Sequence, residues 1–201
     1  MVTMMRIAQF LIVGTLTFST IDPSIQVKSV DGGTTRPFHV PGKANVLFFL
    51  STECPISRSY APEIQRICRT YAAGGVACQL IYEDLPLTAD TVRQHLIEFG
   101  YRTIPAAIDG TGIVANSVGA MITPQAVIVD RAGQLRYRGR IDDFHVDLGK
   151  ARRQVTRHDL TLALDEVLAG KHVTHPETPA VGCYITSPKV LKNLQPEGRP
   201  Q

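Results

Sequence analysis

Val46-Leu47-Phe48-Phe49-Leu50 restricts the fold of this chain more than any other segment. Five apolar residues in succession offer no polar face to water, so a strand built from them must be covered on both sides. Such a strand belongs in the middle of a sheet with helices packed over it. The next segment supplies a helix over about Pro55 to Ala73, in which Ile56, Tyr60, Ile64, Ile67 and Tyr71 form one apolar face. Pro55 suits a first helical turn, Pro62 should kink the helix, and Gly74-Gly75 ends it.

The rest of the chain continues the alternation. Val76 to Tyr82 reads as a strand, Ala89 to Phe99 as a helix capped by Thr88 or Asp90, and Ala106 to Asp109 as a short strand. Ile113 to Ala120 reads as a brief helix. Ala126–Val129 and Leu135–Arg140 flank the turn Asp130-Arg131-Ala132-Gly133 as an antiparallel hairpin. A long charged loop runs from Ile141 to Thr156, and His158 to Ala169 forms the last helix. Ahead of this body, residues 21–43 read as a lead-in with short strands at Ile25–Val30 and Phe38–Val40. The order predicts an α/β domain over residues 44–170, with a mixed central sheet and helices on both faces. A polar, proline-containing tail, 171–201, follows and carries Cys183.

Composition narrows the setting. A net charge of +3 without a basic run excludes a dedicated nucleic-acid binder. Residues 1–20 have the layout of an export signal: Arg6, then a short apolar segment from Ile7 to Phe18, then a polar stretch. The expected location is outside the cytoplasm, in a periplasm or its equivalent. There, Cys54, Cys68, Cys78 and Cys183 are free to form disulfides, and four cysteines allow three connectivities. No close Cys-Cys or Cys-His pair suggests a zinc site.

Cys54 is the candidate nucleophile. It lies between the apolar strand and the helix, where unpaired helical N–H groups favour thiolate over thiol. Attack on a disulfide gives a mixed disulfide, and attack on a peroxide gives a sulfenic acid. Either product needs a second thiol. Cys183 is the candidate resolver, with Gly182 allowing a close backbone approach. Ser57 is placed to donate a hydrogen bond to the thiolate. Cys68 and Cys78 read as core fillers or a structural pair, since both can face the same helix–sheet interface.

Cys54-Pro55-Ile56-Ser57, Pro62 and Thr123-Pro124, in this order, resemble the thioredoxin superfamily, whose fold the chain is then expected to adopt over roughly residues 40–170. Arg138-Gly139 at the hairpin end also fits. Ser51-Thr52-Glu53-Cys54-Pro55-Ile56-Ser57, Tyr60-Ala61-Pro62-Glu63-Ile64 and Tyr137-Arg138-Gly139-Arg140 resemble the redoxin branch, meaning peroxiredoxin-like and TlpA-type proteins. The resemblance implies a thiol oxidoreductase acting on a protein disulfide or a peroxide, with a thioredoxin-like electron donor and no organic cofactor or metal. It implies that Pro124 is the family's cis-proline and that Thr123 and Pro124 shape the docking surface. It places Ser51 where the family's hydroxyl can hydrogen-bond a peroxide.

The sequence also departs from the family. Ser57 replaces the second cysteine, which excludes a dithiol cycle within the motif. Leu47 stands where a proline is expected, and no arginine precedes the Ala126 strand, leaving Arg58 or Arg140 as substitutes. The alternatives are a non-catalytic adaptor and a module resembling Sco-type copper proteins. For the latter, Arg58 occupies the second cysteine's place. Asp142 to Asp147, His95, His172, His175 and Arg152-Arg153 with Arg157 and His158 read as solvated or capping groups.

Overall fold

A computed structural model describes residues 21–84 and 86–185, so the expected export segment 1–20 lies outside the described residues. β3 (Ala44–Leu50) is the apolar run, and all seven of its residues are buried. It is central, lying parallel to β4 (Val76–Tyr82) in the register Val46↔Cys78 and antiparallel to β7 (Gln125–Asp130) in the register Val46↔Ile128. β1 (Val27–Ser29), β2 (Thr34–Thr35), β5 (Ala106–Ile108) and β8 (Leu135–Gly139) complete a mixed seven-stranded sheet of order β2-β1-β5-β4-β3-β7-β8.

The side chains of β3 alternate between two cores, which explains why no residue of that run is polar-facing. Val46, Phe48 and Leu50 pack with α2 (Ala61–Ala72), α3 (Ala89–Glu98) and α5 (Asp159–Leu168). Leu47 and Phe49 pack with α4 (Ile113–Val118) on the opposite face. Helices therefore cover both faces, and the architecture is that of the thioredoxin fold.

Several sequence expectations need correction. The helix expected from Pro55 to Ala73 is broken into α1 (Pro55–Ser59) and α2 at Tyr60, because Pro62 has no N–H to continue the ladder. Phe38–Val40 is not a strand; Phe38 is buried, but pairing falls instead on Thr34–Thr35, across the Gly32-Gly33 turn from β1. The loop after Ile141 is solvated over most of its length, but its base is not. Asp142 and Asp143 are buried at its base, and a small hairpin of β9 (His145–Asp147) and β10 (Lys150–Ala151) rises from it. Asp143 accepts the N–H groups of Thr156 and Arg157 and the Thr156 hydroxyl proton, and pairs with Arg152. Buried backbone donors need acceptors, and Asp143 closes the loop by supplying them. Arg157 likewise pairs with buried Asp159.

His95 is corrected too. It lies on the buried face of α3, with Nδ1 2.9 Å from the Tyr82 hydroxyl. Burial foremost, then the charge of Arg58, holds its pKa below the usual histidine value. Among the described residues no helix is long and apolar enough to cross a membrane.

Cys68 on α2 and Cys78 on β4 form a disulfide with a Cα–Cα separation of 5.9 Å. It ties α2 to the sheet. With a sequence separation of 10, the closed loop is short, and its entropy corresponds to about 2.5 kcal/mol. A Cys68→Ala/Cys78→Ala protein is expected to unfold at correspondingly lower denaturant concentration with an unchanged dependence on denaturant. Equal midpoints for the two proteins would show that the link does not constrain the unfolded chain.

Candidate active site

Leu50 is the last residue of β3, and the chain then turns sharply to begin α1. Ser51 organises this turn: its hydroxyl accepts the N–H groups of Glu53 (3.1 Å) and Cys54 (3.2 Å). Thr52 is clamped from the next strand, donating its N–H (2.5 Å) and hydroxyl (2.9 Å) to Asp84. Arg58 reaches back to the Thr52 carbonyl with Nε (2.9 Å) and Nη2 (2.6 Å). The turn is fixed by side chains from three directions, and Cys54 becomes the N-cap of α1 with Pro55 behind it.

The opposite wall comes from β6 (Ile122–Thr123), which runs into the cis peptide bond Thr123–Pro124. Gln125 holds this wall in place, its side-chain oxygen accepting the N–H groups of Met121 and Ile122. The third wall is the tail. β11 (Cys183–Tyr184) pairs antiparallel with β6, in the register Cys183↔Thr123 and Tyr184↔Ile122.

These three elements bring two sulfurs together. Cys183 Sγ lies 2.7 Å from Cys54 Sγ, and Cys54 Sγ lies 3.2 Å from the Thr123 carbonyl oxygen. The two residues are 129 positions apart in sequence. Cys54 is only 1% exposed, whereas Cys183 is partly exposed.

The surroundings polarise the pair. Burial by itself would raise the Cys54 pKa, but the Cys183 thiol and the N–H and hydroxyl of Ser57 outweigh it and bring it below the ordinary thiol value. Cys183 moves the other way, pushed up to about 11 by burial first and then by its hydrogen bond to Cys54 and the charge there. One sulfur is favoured as thiolate, and the other holds the proton that stabilises it. A Cys54 without its negative charge would remove part of what keeps Cys183 protonated.

Of the site residues expected from sequence, Cys54, Cys183, Ser51, Ser57, Thr123 and Pro124 all fall at this junction. Ser51 faces the turn's own N–H groups as acceptor. Neither arginine side chain bonds the Cys54 sulfur: the Arg58 guanidinium serves the Thr52 carbonyl, and Arg140 pairs with Asp159 at 2.7 Å. Sequence reasoning missed Asp84, the clamp on Thr52, and Glu83 beside it. An acidic pair closing an apolar strand was the available clue. It also missed Tyr60, whose hydroxyl donates to buried Asp142 at 2.6 Å and thereby ties the α1–α2 junction to the loop after β8.

The region 21–138 matches the family model described as the AhpC/TSA family. The chain belongs to the AhpC/TSA family. This is the redoxin branch of the thioredoxin superfamily. Among solved structures, the chain is similar to a hypothetical protein from Sinorhizobium meliloti 1021. The two share 28% identity over 86% of this chain and 96% of that one, at a TM-score of 0.71. An uncharacterised conserved protein from Geobacillus kaustophilus is similar at 27% identity, over 85% of this chain and 93% of that one, with a TM-score of 0.69. A secreted Mycobacterium tuberculosis disulfide oxidoreductase, described as homologous to E. coli DsbE, shares the fold at 14% identity and a TM-score of 0.50. That match covers 73% of this chain and 95% of the other. Comparison with curated proteins gave no match.

Proposed function

We propose that this AhpC/TSA-family chain is an extracytoplasmic thiol oxidoreductase in which Cys54 is the nucleophile and Cys183 the resolving thiol. The observation that carries the reading is the 2.7 Å approach of the two sulfurs across the β6–β11 pairing. With a disulfide substrate, the Cys54 thiolate attacks one sulfur, the substrate S–S bond breaks, and one half leaves as thiolate. Cys183 then loses its proton, attacks the Cys54 sulfur and expels the other half. With a hydroperoxide, Cys54 takes the terminal oxygen and becomes a sulfenic acid, and the alcohol or water leaves with a proton. Attack by the Cys183 thiol then closes the Cys54–Cys183 disulfide and releases water. A partner dithiol of thioredoxin type returns the pair to its reduced state. Ser57 supports the thiolate, Ser51 shapes the turn that presents it, and Thr123 and Pro124 form the opposing wall.

Two further observations support this setting. The Cys68–Cys78 disulfide suits an oxidising compartment, and residues 1–20 have the pattern of an export signal. The copper-binding alternative fits the geometry poorly. A metal held between two thiolates at bonds of about 2.3 Å needs the sulfurs farther apart than 2.7 Å.

The test is to treat the reduced protein with one equivalent of hydrogen peroxide, or of a small disulfide, and map linkages by peptide mass spectrometry. A Cys54–Cys183 disulfide forming within seconds to minutes and reversing with a dithiol protein is the expected result. A Cys54 that stays a free thiol under both oxidants would return the adaptor reading.

A further inference from the structure

The tail does more than deliver a thiol. Cys183 arrives as part of an extended strand that fills the exposed side of β6. Ile185 N–H donates to the Met121 carbonyl at 2.9 Å, and the Thr123 hydroxyl donates to the Cys183 carbonyl at 3.4 Å. The strand is anchored on both sides of Cys183. Upstream, the Thr178 N–H bonds the Arg138 carbonyl, and the Thr178 hydroxyl meets the Tyr137 hydroxyl at 2.6 Å. Downstream, Ile185 is buried in the core on the α4 side of the sheet. The larger clefts, of about 620 and 650 Å³, lie beside the Cys68–Cys78 disulfide and along the β1 edge, away from Cys54.

One position in the strand leaves no latitude. A Cβ on Gly182 would lie 2.0 Å from the Thr123 carbonyl oxygen and 2.7 Å from its carbon. Both atoms are backbone in the wall of the site, so no side-chain rotation relieves the clash. The residue before the cysteine must therefore be glycine for a strand to lie here in this register. The residue after it is free, since Tyr184 is 77% exposed and points away.

We infer that the β6 edge beside Cys54 is a docking groove for an extended polypeptide bearing glycine immediately before cysteine, and that the chain's own tail holds this groove shut in cis. The inference rests on Cys54 being the nucleophile. It adds a partner class, proteins presenting an extended Gly-Cys segment, and a competition between that partner and the tail. The partner's cysteine enters as one half of a disulfide: the Cys54 thiolate attacks it, the partner's S–S bond breaks, and the other half leaves as thiolate, so no outside oxidant is needed.

The test uses a Cys183→Ala protein, which keeps the tail but not its competing thiol. The probe is the hexapeptide Ala-Val-Gly-Cys-Tyr-Ile, its cysteine joined to thionitrobenzoate as a mixed disulfide. The Cys54 thiolate attacks the peptide sulfur, the bond to thionitrobenzoate breaks, and that low-pKa thiolate leaves as the coloured product. Placing valine before the peptide cysteine is expected to slow release by about ten-fold or more, because backbone must move to admit the side chain. Adding Gly182→Val, or separately Ile185→Asp, to the Cys183→Ala protein should unseat the tail. Reaction with the glycine peptide should then rise by a similar factor, while iodoacetamide and far-ultraviolet circular dichroism report that Cys54 and the fold are intact. Equal rates for the two peptides on the Cys183→Ala protein overturn the glycine rule even if both tail variants fail to fold. Equal rates with seated and unseated tails overturn the competition. A wild-type protein that still closes its Cys54–Cys183 disulfide in either case leaves the redox reading standing.

Discussion

A Cys183→Ser protein is expected to react once at Cys54 and then stop. The first step needs only the Cys54 thiolate, and Ser57 still supports it when the Cys183 thiol is gone. The second step needs a sulfur in place to attack, and serine oxygen does not form the S–S bond. With peroxide, Cys54 should accumulate as sulfenic acid and then pass to sulfinic acid. With a disulfide, the mixed disulfide should persist until an outside thiol releases it. Steady-state turnover with a dithiol donor should fall by a factor on the order of 10³, close to that of Cys54→Ser, because the two sulfurs act as one unit. The two variants separate in a single-turnover experiment: Cys183→Ser gives one equivalent of product per chain, and Cys54→Ser gives none. Full turnover retained in Cys183→Ser would assign resolution to a thiol of another molecule.

The second large effect lies at Glu83, one residue beyond β4. It is 3% exposed, and neither carboxylate oxygen has a hydrogen-bond partner among the described residues. Its neighbour Asp109 is occupied, accepting the N–H groups of Ile113, Val114 and Ala115 at the start of α4. Burial first, then the charge and hydrogen bond of Asp109 and the charge of Asp84, push the Glu83 pKa up to about 9. Glu83 is then held in its protonated, uncharged form. Its ordinary value, 4.5, applies in the unfolded chain. Between the two values folding takes up a proton, so this contribution is fully present below about pH 4.5 and is lost as pH rises toward 9. Glu83→Gln keeps an uncharged side chain of the same shape and removes the titration. At pH 8 it is expected to stabilise the protein by an amount on the order of 2–4 kcal/mol. The fall in melting temperature between pH 6 and pH 9 should flatten. A variant whose melting temperature tracks the wild type across that range would show that Glu83 is already ionised in the folded protein.

The contrast between these two positions shows what the sequence carried. Patterns that are local in the chain were readable. The Val46–Leu50 run implied a covered strand, Pro62 implied a break, and Cys54 between them implied a strand-to-helix junction. Cys183 could be named because only four cysteines exist, although its register against Thr123 was not legible. Glu83 was not readable, since whether an acid closing a strand turns inward depends on Asp109, 26 residues on. The buried base of the loop at Asp142 and Asp143 escaped for the same reason, because its donors at Tyr60, Thr156 and Arg157 come from separate segments. His95 was a misjudged pattern. Val92, His95, Leu96 and Phe99 follow helical spacing on one face, and a histidine in that series belongs inside whenever a hydroxyl such as that of Tyr82 is there to meet it.

The placement of Cys183 also bears on how the molecule is made. Cys68 and Cys78 are within reach of each other soon after they leave the ribosome. The tail strand that covers Cys54 follows it by 129 positions. Until that strand is made Cys54 is therefore an uncovered thiol with two cysteines nearby, and early closure of the Cys68–Cys78 link removes both as partners before Cys183 exists. A chain cut short before Thr178 would fold around a complete sheet and leave that sulfur open to whatever thiol or disulfide the compartment holds.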